Sequence, residues 1–238
     1  KTEAKALIWG AVEKSGKLQN ARRRKRNLPA KSNAGHATGR LLQARLRAFY
    51  NWCIRDDLVD RNPFEKLALE LDTRARERAL TIREINTVLE VLEQVDSPVF
   101  VMLFCILLMT GMRKEEAANM KFGWVDWSGG FLRLPADLAK SKQQQNIALP
   151  AAAMRMIQQM RREALSAGVN DLDSAYIFTT DGRSKYVSWK RPMARLAELL
   201  PDGFEHFTLH DLRRTVATGC AMLGAPEVVV EKGVLRHM

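Results

Sequence analysis

Hydrophobic positions change period along this chain, and each change marks a new element. From residue 40, Leu42, Leu46, Phe49, Tyr50 and Cys53 recur at three- and four-residue spacing, which predicts a helix whose other face carries Arg40, Arg45, Arg47 and Arg55. The turn-rich stretch at residues 28–39 is expected to break any helix before it. Asn62 and Pro63 close this helical unit, because the residue before a proline is driven out of the α region. Residues 72–80 are polar and nearly free of apolar side chains, so they read as a linker. Thr81, with Glu84 three residues on, forms a capping box ahead of the next helical pattern. Residues 99–109 are apolar on every side, which predicts a buried helix opened by Pro98 and stopped by Gly111.

After a short helix from Lys114 the period falls to two. Residues 124–150, with a turn at Ser128, Gly129 and Gly130, predict three short antiparallel strands. Helical spacing returns over residues 151–167, and again over 187–200 despite Pro192, with Tyr176, Ile177 and Phe178 as an extended piece between. Thr208 can cap a helix running to about Leu223, Gly224 stops it, and Pro226 opens a last helical segment. The fold class expected is mainly α, of α+β type. A small helical domain over residues 1–73 precedes a mixed helical domain over 74–238 that carries a short three-stranded antiparallel sheet.

Composition bounds the function. The chain has 238 residues, 46% hydrophobic and 27% charged, which suits a globular protein with a real core. Its longest apolar run, residues 99–109, is about half the roughly 20 residues of a spanning helix, and the first residues show no signal pattern, so a cytoplasmic location without membrane contact is expected. Cys53, Cys105 and Cys220 lack the spacing of a zinc site or disulfide framework and read as reduced core residues. The net charge of +11 is unevenly placed: up to Arg78 there are 19 Lys and Arg against 9 Asp and Glu, and thereafter 19 against 18. Such a concentration points to a polyanionic partner. Arg22, Arg23, Arg24, Lys25 and Arg26, with Arg40, Arg45 and Arg47, are the candidate phosphate contacts; a solvated charge run is the alternative for the first five. Tyr50, Trp52 and Trp124 read as core rather than base-stacking residues, and His36 and His206 as ordinary surface or turn histidines.

Two strings carry the chemistry: TGMRKEE at residues 110–116 and LHDLRRT at 209–215. Each sets an arginine, Arg113 or Arg213, near a helix boundary, and the second adds His210 three residues earlier. Two guanidiniums and an imidazole suit a phosphodiester whose non-bridging oxygens gain charge, since each planar fork donates two parallel hydrogen bonds to phosphate. The plainer alternatives are that an arginine after a helix end satisfies loose carbonyls, and that His210 and Arg213 merely share a helix face. Glu116, one turn beyond Arg113, either holds that guanidinium or is a solvated helix-start acid, and Asp211 reads as an acid complementing the helix dipole.

In this order, and joined by the later string Leu235, Arg236, His237, these boxes resemble the tyrosine recombinases of the phage integrase family over roughly residues 78–238. The resemblance implies the fold of the DNA breaking-rejoining enzymes and a metal-independent transesterification through a 3′-phosphotyrosyl bond, with no cofactor. It implies catalytic roles for Arg113, His210, Arg213 and His237, with Lys142 of the hairpin protonating the leaving oxygen; Lys140, two residues away on the same strand face, is the alternative. The partner implied is double-stranded DNA bearing specific recombination sites, gripped by both domains, with a homotetramer on DNA and a monomer in isolation. The family's tyrosine follows its last histidine by several residues, and Tyr50, Tyr176 and Tyr186 match no such position, so residues 1–238 are expected to lack the nucleophile and be inactive for cleavage. Alternatives are a non-catalytic DNA-binding protein derived from an integrase, a type IB topoisomerase and a helical protein that binds no nucleic acid.

Overall fold

Ala4, Ile8, Val12 and Gly16 recur every four residues along α1 (Thr2–Arg24) and are its buried positions. They meet α2 (His36–Arg55) at Gly39, where a Cβ would lie 2.4 Å from Val12 Cγ2. The turn-rich stretch therefore ends earlier than expected. Gly39 does not break α2 but lets the two helices approach, and Gly35, at φ 91°, turns the chain into it. Phe64, Leu67 and Leu71 complete this small core, with Leu46 and Tyr50 packed against it. Trp52 does not join it: this ring is 43% exposed, because it follows Leu41 round to the outer side of α2. The computed structural model describes residues 2–25, 30–72, 78–139 and 142–235. The chain divides into two compact units, Lys1–Arg76 and Glu77–Met238.

The second unit is built around α4 (Pro98–Thr110), whose Phe100, Leu103, Phe104 and Ile106 are fully buried. Each such side chain contributes about 1.5–3 kcal/mol by leaving water. Around it lie α3 (Ile82–Leu92), α5 (Lys114–Ala118), α6 (Ala151–Ser166), α7 (Lys190–Leu199) and α8 (Leu209–Met222). The sheet has the order β1 (Val125–Asp126), β2 (Phe131–Leu134), β3 (Gln145–Ala148), antiparallel throughout. Leu132 faces Ile147 across it and both are buried, which seats one side of the hairpin on the core. Helix α7 starts at Lys190, so Pro192 lies in its first turn, where a missing N–H costs nothing, rather than interrupting a longer helix. After α8 a short helical turn, Glu227–Val229, runs into a π-helical turn, Val230–Val234. Among the described residues no helix is long and apolar enough to cross a membrane.

The stretch read as a linker is not polar throughout its length. Leu80 is 7% exposed and the Arg78 side chain 8%. Arg78 donates from Nη1 to Glu84 Oε2 at 3.1 Å and from Nη2 to Glu84 Oε1. Glu84 also accepts from Thr81 N–H at 2.8 Å and Thr81 Oγ1 at 2.9 Å, which forms the expected capping box. The hydrogen bond from Arg78, helped by those from Thr81 and opposed by partial burial, lowers the Glu84 carboxyl from 4.5 to about 2. A depressed carboxyl contributes stability that is present above its unfolded value and lost as pH falls towards its folded one. Between pH 4.5 and 2 the protein should thus lose on the order of 2–3 kcal/mol through this group. Urea titrations should show Glu84→Gln less stable at pH 7 and flatter over that window; a parental slope in the variant would rule the pair out as the cause.

Candidate active site

The site begins where α4 ends. Gly111 caps the helix at φ 61°, a conformation that favours glycine, and a Cβ there would lie 2.8 Å from Val234 Cγ1. Two residues later Arg113 is the N-cap of α5. Glu116, 3% exposed, takes Arg113 N–H at 3.0 Å on one carboxylate oxygen and Arg113 Nη1 at 2.7 Å on the other. One buried acid thus closes the helix start and holds the guanidinium.

Helix α8 brings the second box to the same place by dividing its side chains among three directions. Asp211 and Thr215 point inward: Asp211 takes Thr208 N–H at 2.8 Å and Thr208 Oγ1 at 2.9 Å in a capping box, and Thr215 Oγ1 accepts Leu80 N–H at 2.9 Å. Asp211 is 2% exposed, so it is a buried cap as well as a complement to the dipole. Arg213, 3% exposed, donates from Nη1 to the Gly111 carbonyl at 2.5 Å and from Nη2 to the Leu235 carbonyl. The loose carbonyl at the end of α4 is therefore served by Arg213 from another helix, while Arg113 pairs with Glu116. His210 faces solvent, with Arg214 one turn on. Its imidazole is held below its ordinary 6.5 by partial burial first, then by the Arg214 and Arg213 guanidiniums, with a smaller push from Arg113 and an opposing pull from Asp211. Burial first and the arginine charges second disfavour its charged form, which favours the neutral ring that can take up a proton.

The sequence profile described as the phage integrase family matches residues 78–235, more than half of the chain. The chain belongs to the phage integrase family.

Within this family and its fold the likenesses are distant. Tyrosine recombinase XerC of Pediococcus pentosaceus is 31% identical over 86 residues, 35% of this chain and 29% of that protein. Prophage integrase IntZ of Escherichia coli is 25% identical over 145 residues, 60% of this chain and 36% of its own. The chain thus spans about a third of the length of these relatives. Among solved structures, the Tn1549 transposon integrase in complex with a circular intermediate DNA aligns over 93% of this chain and 76% of its own, with a TM-score of 0.66 at 18% identity. A lambda integrase tetramer bound to a Holliday junction aligns over 100% of this chain and 64% of its own, with a TM-score of 0.67 at 14% identity. At such identities the superpositions show the fold.

The other site residues expected of this integrase-family chain fall into distinct places. Lys142 is exposed in the β2–β3 connection at φ 57°, its N–H bonded to the Ala139 carbonyl at 3.0 Å, so it is a turn residue and not on a strand face. Among the described residues no hydrogen bond or ion pair holds its ammonium. Lys140, His237 and Arg26 lie outside the described residues. Arg22, Arg23 and Arg24 form the last turn of α1, where cations offset the helix dipole whether or not DNA is present, and Lys25 follows at once. Arg40 and Arg47 line one shallow groove of about 350 Å³ on α2 with Gln43, Ala44, Ala48 and Asn51. Arg45 does not join them: five residues beyond Arg40 it stands roughly 140° round the helix. Asn62 ties that groove to the following loop, donating to the Arg47 carbonyl at 2.9 Å and to Asn51 Oδ1 at 2.6 Å.

Two features of the site were missed from sequence. Arg78 falls in the stretch that reads as a linker, and only the capping box beside it signals an ordered helix start. Thr215 closes the second motif, and nothing local reveals that it accepts a hydrogen bond from Leu80.

Proposed function

We propose that this chain is the DNA-gripping and phosphate-activating portion of a site-specific recombinase, which cuts and rejoins DNA by metal-independent transesterification through a 3′-phosphotyrosyl bond. One observation carries the reading: Arg113 and Arg213, each oriented by partners at the end of α4 and the start of α5, meet where Arg213 donates to the Gly111 carbonyl two residues before Arg113, and His210 stands on the same helix as Arg213. A guanidinium has five N–H donors, so anchorage on two carbonyls is compatible with a grip on phosphate oxygens and fixes the fork in advance. His210 would assist proton movement, Lys142 on its exposed turn would reach the leaving oxygen, and His237 would add a third donor. The reaction takes place in the cytoplasm. The partner is double-stranded DNA with specific sites, and the active assembly is a homotetramer on DNA, a reading supported by the lambda integrase tetramer on a Holliday junction among the structural neighbours.

Residues 1–73 contribute DNA affinity through Arg22, Arg23, Arg24 and Lys25 at the end of α1 and Arg40 and Arg47 in the α2 groove. Each phosphate neutralised adds about 0.9 to the slope of log affinity against log salt. Removing residues 1–73 should weaken duplex binding roughly tenfold or more and flatten that slope by several units. Equal affinity and slope after the deletion would show that the basic segment is a solvated charge run.

A second reading is a non-catalytic DNA-binding protein of integrase descent, in which Tyr50, Tyr176 and Tyr186 serve packing alone. Tyr186 is 3% exposed and its hydroxyl is bonded to the Ser188 carbonyl at 3.0 Å, with Ser97 Oγ at 3.3 Å. Tyr176 is engaged by Lys121, whose ammonium lies 5.0 Å from the ring centroid, and Tyr50 packs on the core of the first unit.

A further inference from the structure

The placement of His210 and Arg213 depends on how α8 is rotated about its axis, and two anchors set that rotation. On one side Arg213 donates to the Gly111 carbonyl at 2.5 Å. On the other, Leu80 N–H donates to Thr215 Oγ1 at 2.9 Å, and that hydroxyl donates to the Asp211 carbonyl at 2.8 Å. Two residues of helix separate Arg213 from Thr215, roughly 200° of rotation, so the anchors hold nearly opposite sides. Release of one removes a restraint on small rotations of the helix, whose buried Leu209 and Leu212 keep it seated on the core. A phosphate grip tolerates only about 0.5 Å or 10–20° of such movement.

The second anchor is itself held by Arg78. Its guanidinium joins Glu84 in the first turn of α3 to residue 205, just ahead of the Thr208 cap: Nη2 donates to the Glu205 carbonyl at 3.4 Å and Nε lies 3.4 Å from Glu205 Oε2. Nη1 also donates to the Ala79 carbonyl at 2.9 Å, which fixes the peptide leading into Leu80. One side chain thus ties the start of α3, residues 79–80 and the approach to α8 into a single clasp.

We propose that Arg78 is a positioning residue of the phosphate site: through Glu84, Glu205 and the Leu80–Thr215 hydrogen bond it sets the rotation of α8 that aims His210 and Arg213. The inference rests on the reading of Arg113, His210 and Arg213 as a phosphate site.

The test follows the His210 imidazole by NMR titration in the histidine-labelled chain of residues 1–238, its signal assigned with His210→Gln. Arg78→Gln and Thr215→Val should each move the His210 midpoint upward towards its ordinary value, as rotation of the helix relieves the partial burial that chiefly depresses it and carries the ring away from Arg113, while Arg213 and Arg214 turn with it; Arg78→Lys should fall between. Ile157→Val, in the fully buried core of α6, loosens the same unit away from the clasp and should leave the midpoint unmoved. If Arg78→Gln fails to fold, Thr215→Val, nearly isosteric, decides alone. Parental His210 midpoints in the folded clasp variants would reduce Arg78 to a structural residue and overturn the proposal. Duplex binding separates the two readings: Arg113→Gln should bind several-fold more weakly than parent, and undiminished binding would remove the phosphate site while the His210 shifts still reported the clasp.

Discussion

Arg113→Lys and Arg213→Lys are expected to slow strand cleavage by about 2–4 kcal/mol of transition-state stabilisation each, because a point charge cannot reproduce a planar fork on two phosphate oxygens. Their folding stabilities should part company. A lysine at 113 still neutralises the buried Glu116, which now takes one of its bonds from the backbone, so little stability should be lost. A lysine at 213 places an ammonium among the carbonyls of Gly111 and Leu235 and cannot span both, so a further 1–3 kcal/mol of folding stability should go. Cleavage of a suicide substrate, measured in a form of the protein that carries the family's nucleophile and normalised to folded fraction by urea titration, separates the two effects. An Arg213→Lys protein that is destabilised yet cleaves at the parental rate per folded molecule would show that Arg213 is only the tie between α4 and α8.

Residues 1–238 are expected to bind duplex DNA without forming a covalent conjugate. The chemistry needs a phenolate that can reach the phosphorus in line, yet the Tyr186 hydroxyl is committed to the Ser188 carbonyl inside the core, Tyr176 packs under Lys121, and Tyr50 belongs to the first unit. Tyr186 and Tyr176 are each held in the second unit by the packing around them. Incubation with a suicide substrate followed by denaturing electrophoresis should give no protein–DNA band, while a tyrosine supplied on a segment after residue 238 should give one that its replacement by phenylalanine removes. A conjugate formed by residues 1–238 alone, lost on Tyr176→Phe or Tyr186→Phe, would overturn the assignment of the site.

Elements whose boundaries are decided within a few residues could be read without the structure. Thr81 and Glu84 satisfy each other's backbone across one turn, Pro98 and Gly111 bracket an all-apolar run, and alternation at Leu132 and Leu134 with Ile147 yields the hairpin; all three are local rules of hydrogen bonding and period. The two boxes were legible for the same reason, since arginine, histidine and acid stand at helix starts where short-range spacing governs them. Where tertiary packing competes with a local rule, packing decided. Gly39 reads as a helix breaker and is instead the contact point of α1 with α2. Trp52 has the spacing of a core residue and faces solvent, because the first unit has no further described layer over that side of α2.

By itself the sequence determined which groups could bind a phosphate and in what order along the chain, because side-chain chemistry and helix-end spacing are properties of short segments. Tertiary structure alone decided what each group is attached to. Arg213 spends donors on carbonyls of residues 111 and 235, Thr215 accepts from residue 80, and Arg78 reaches across to residue 205. Such partners lie 22 to 135 residues apart, and their pairing is set by which surfaces exclude water together, a quantity that no local spacing encodes.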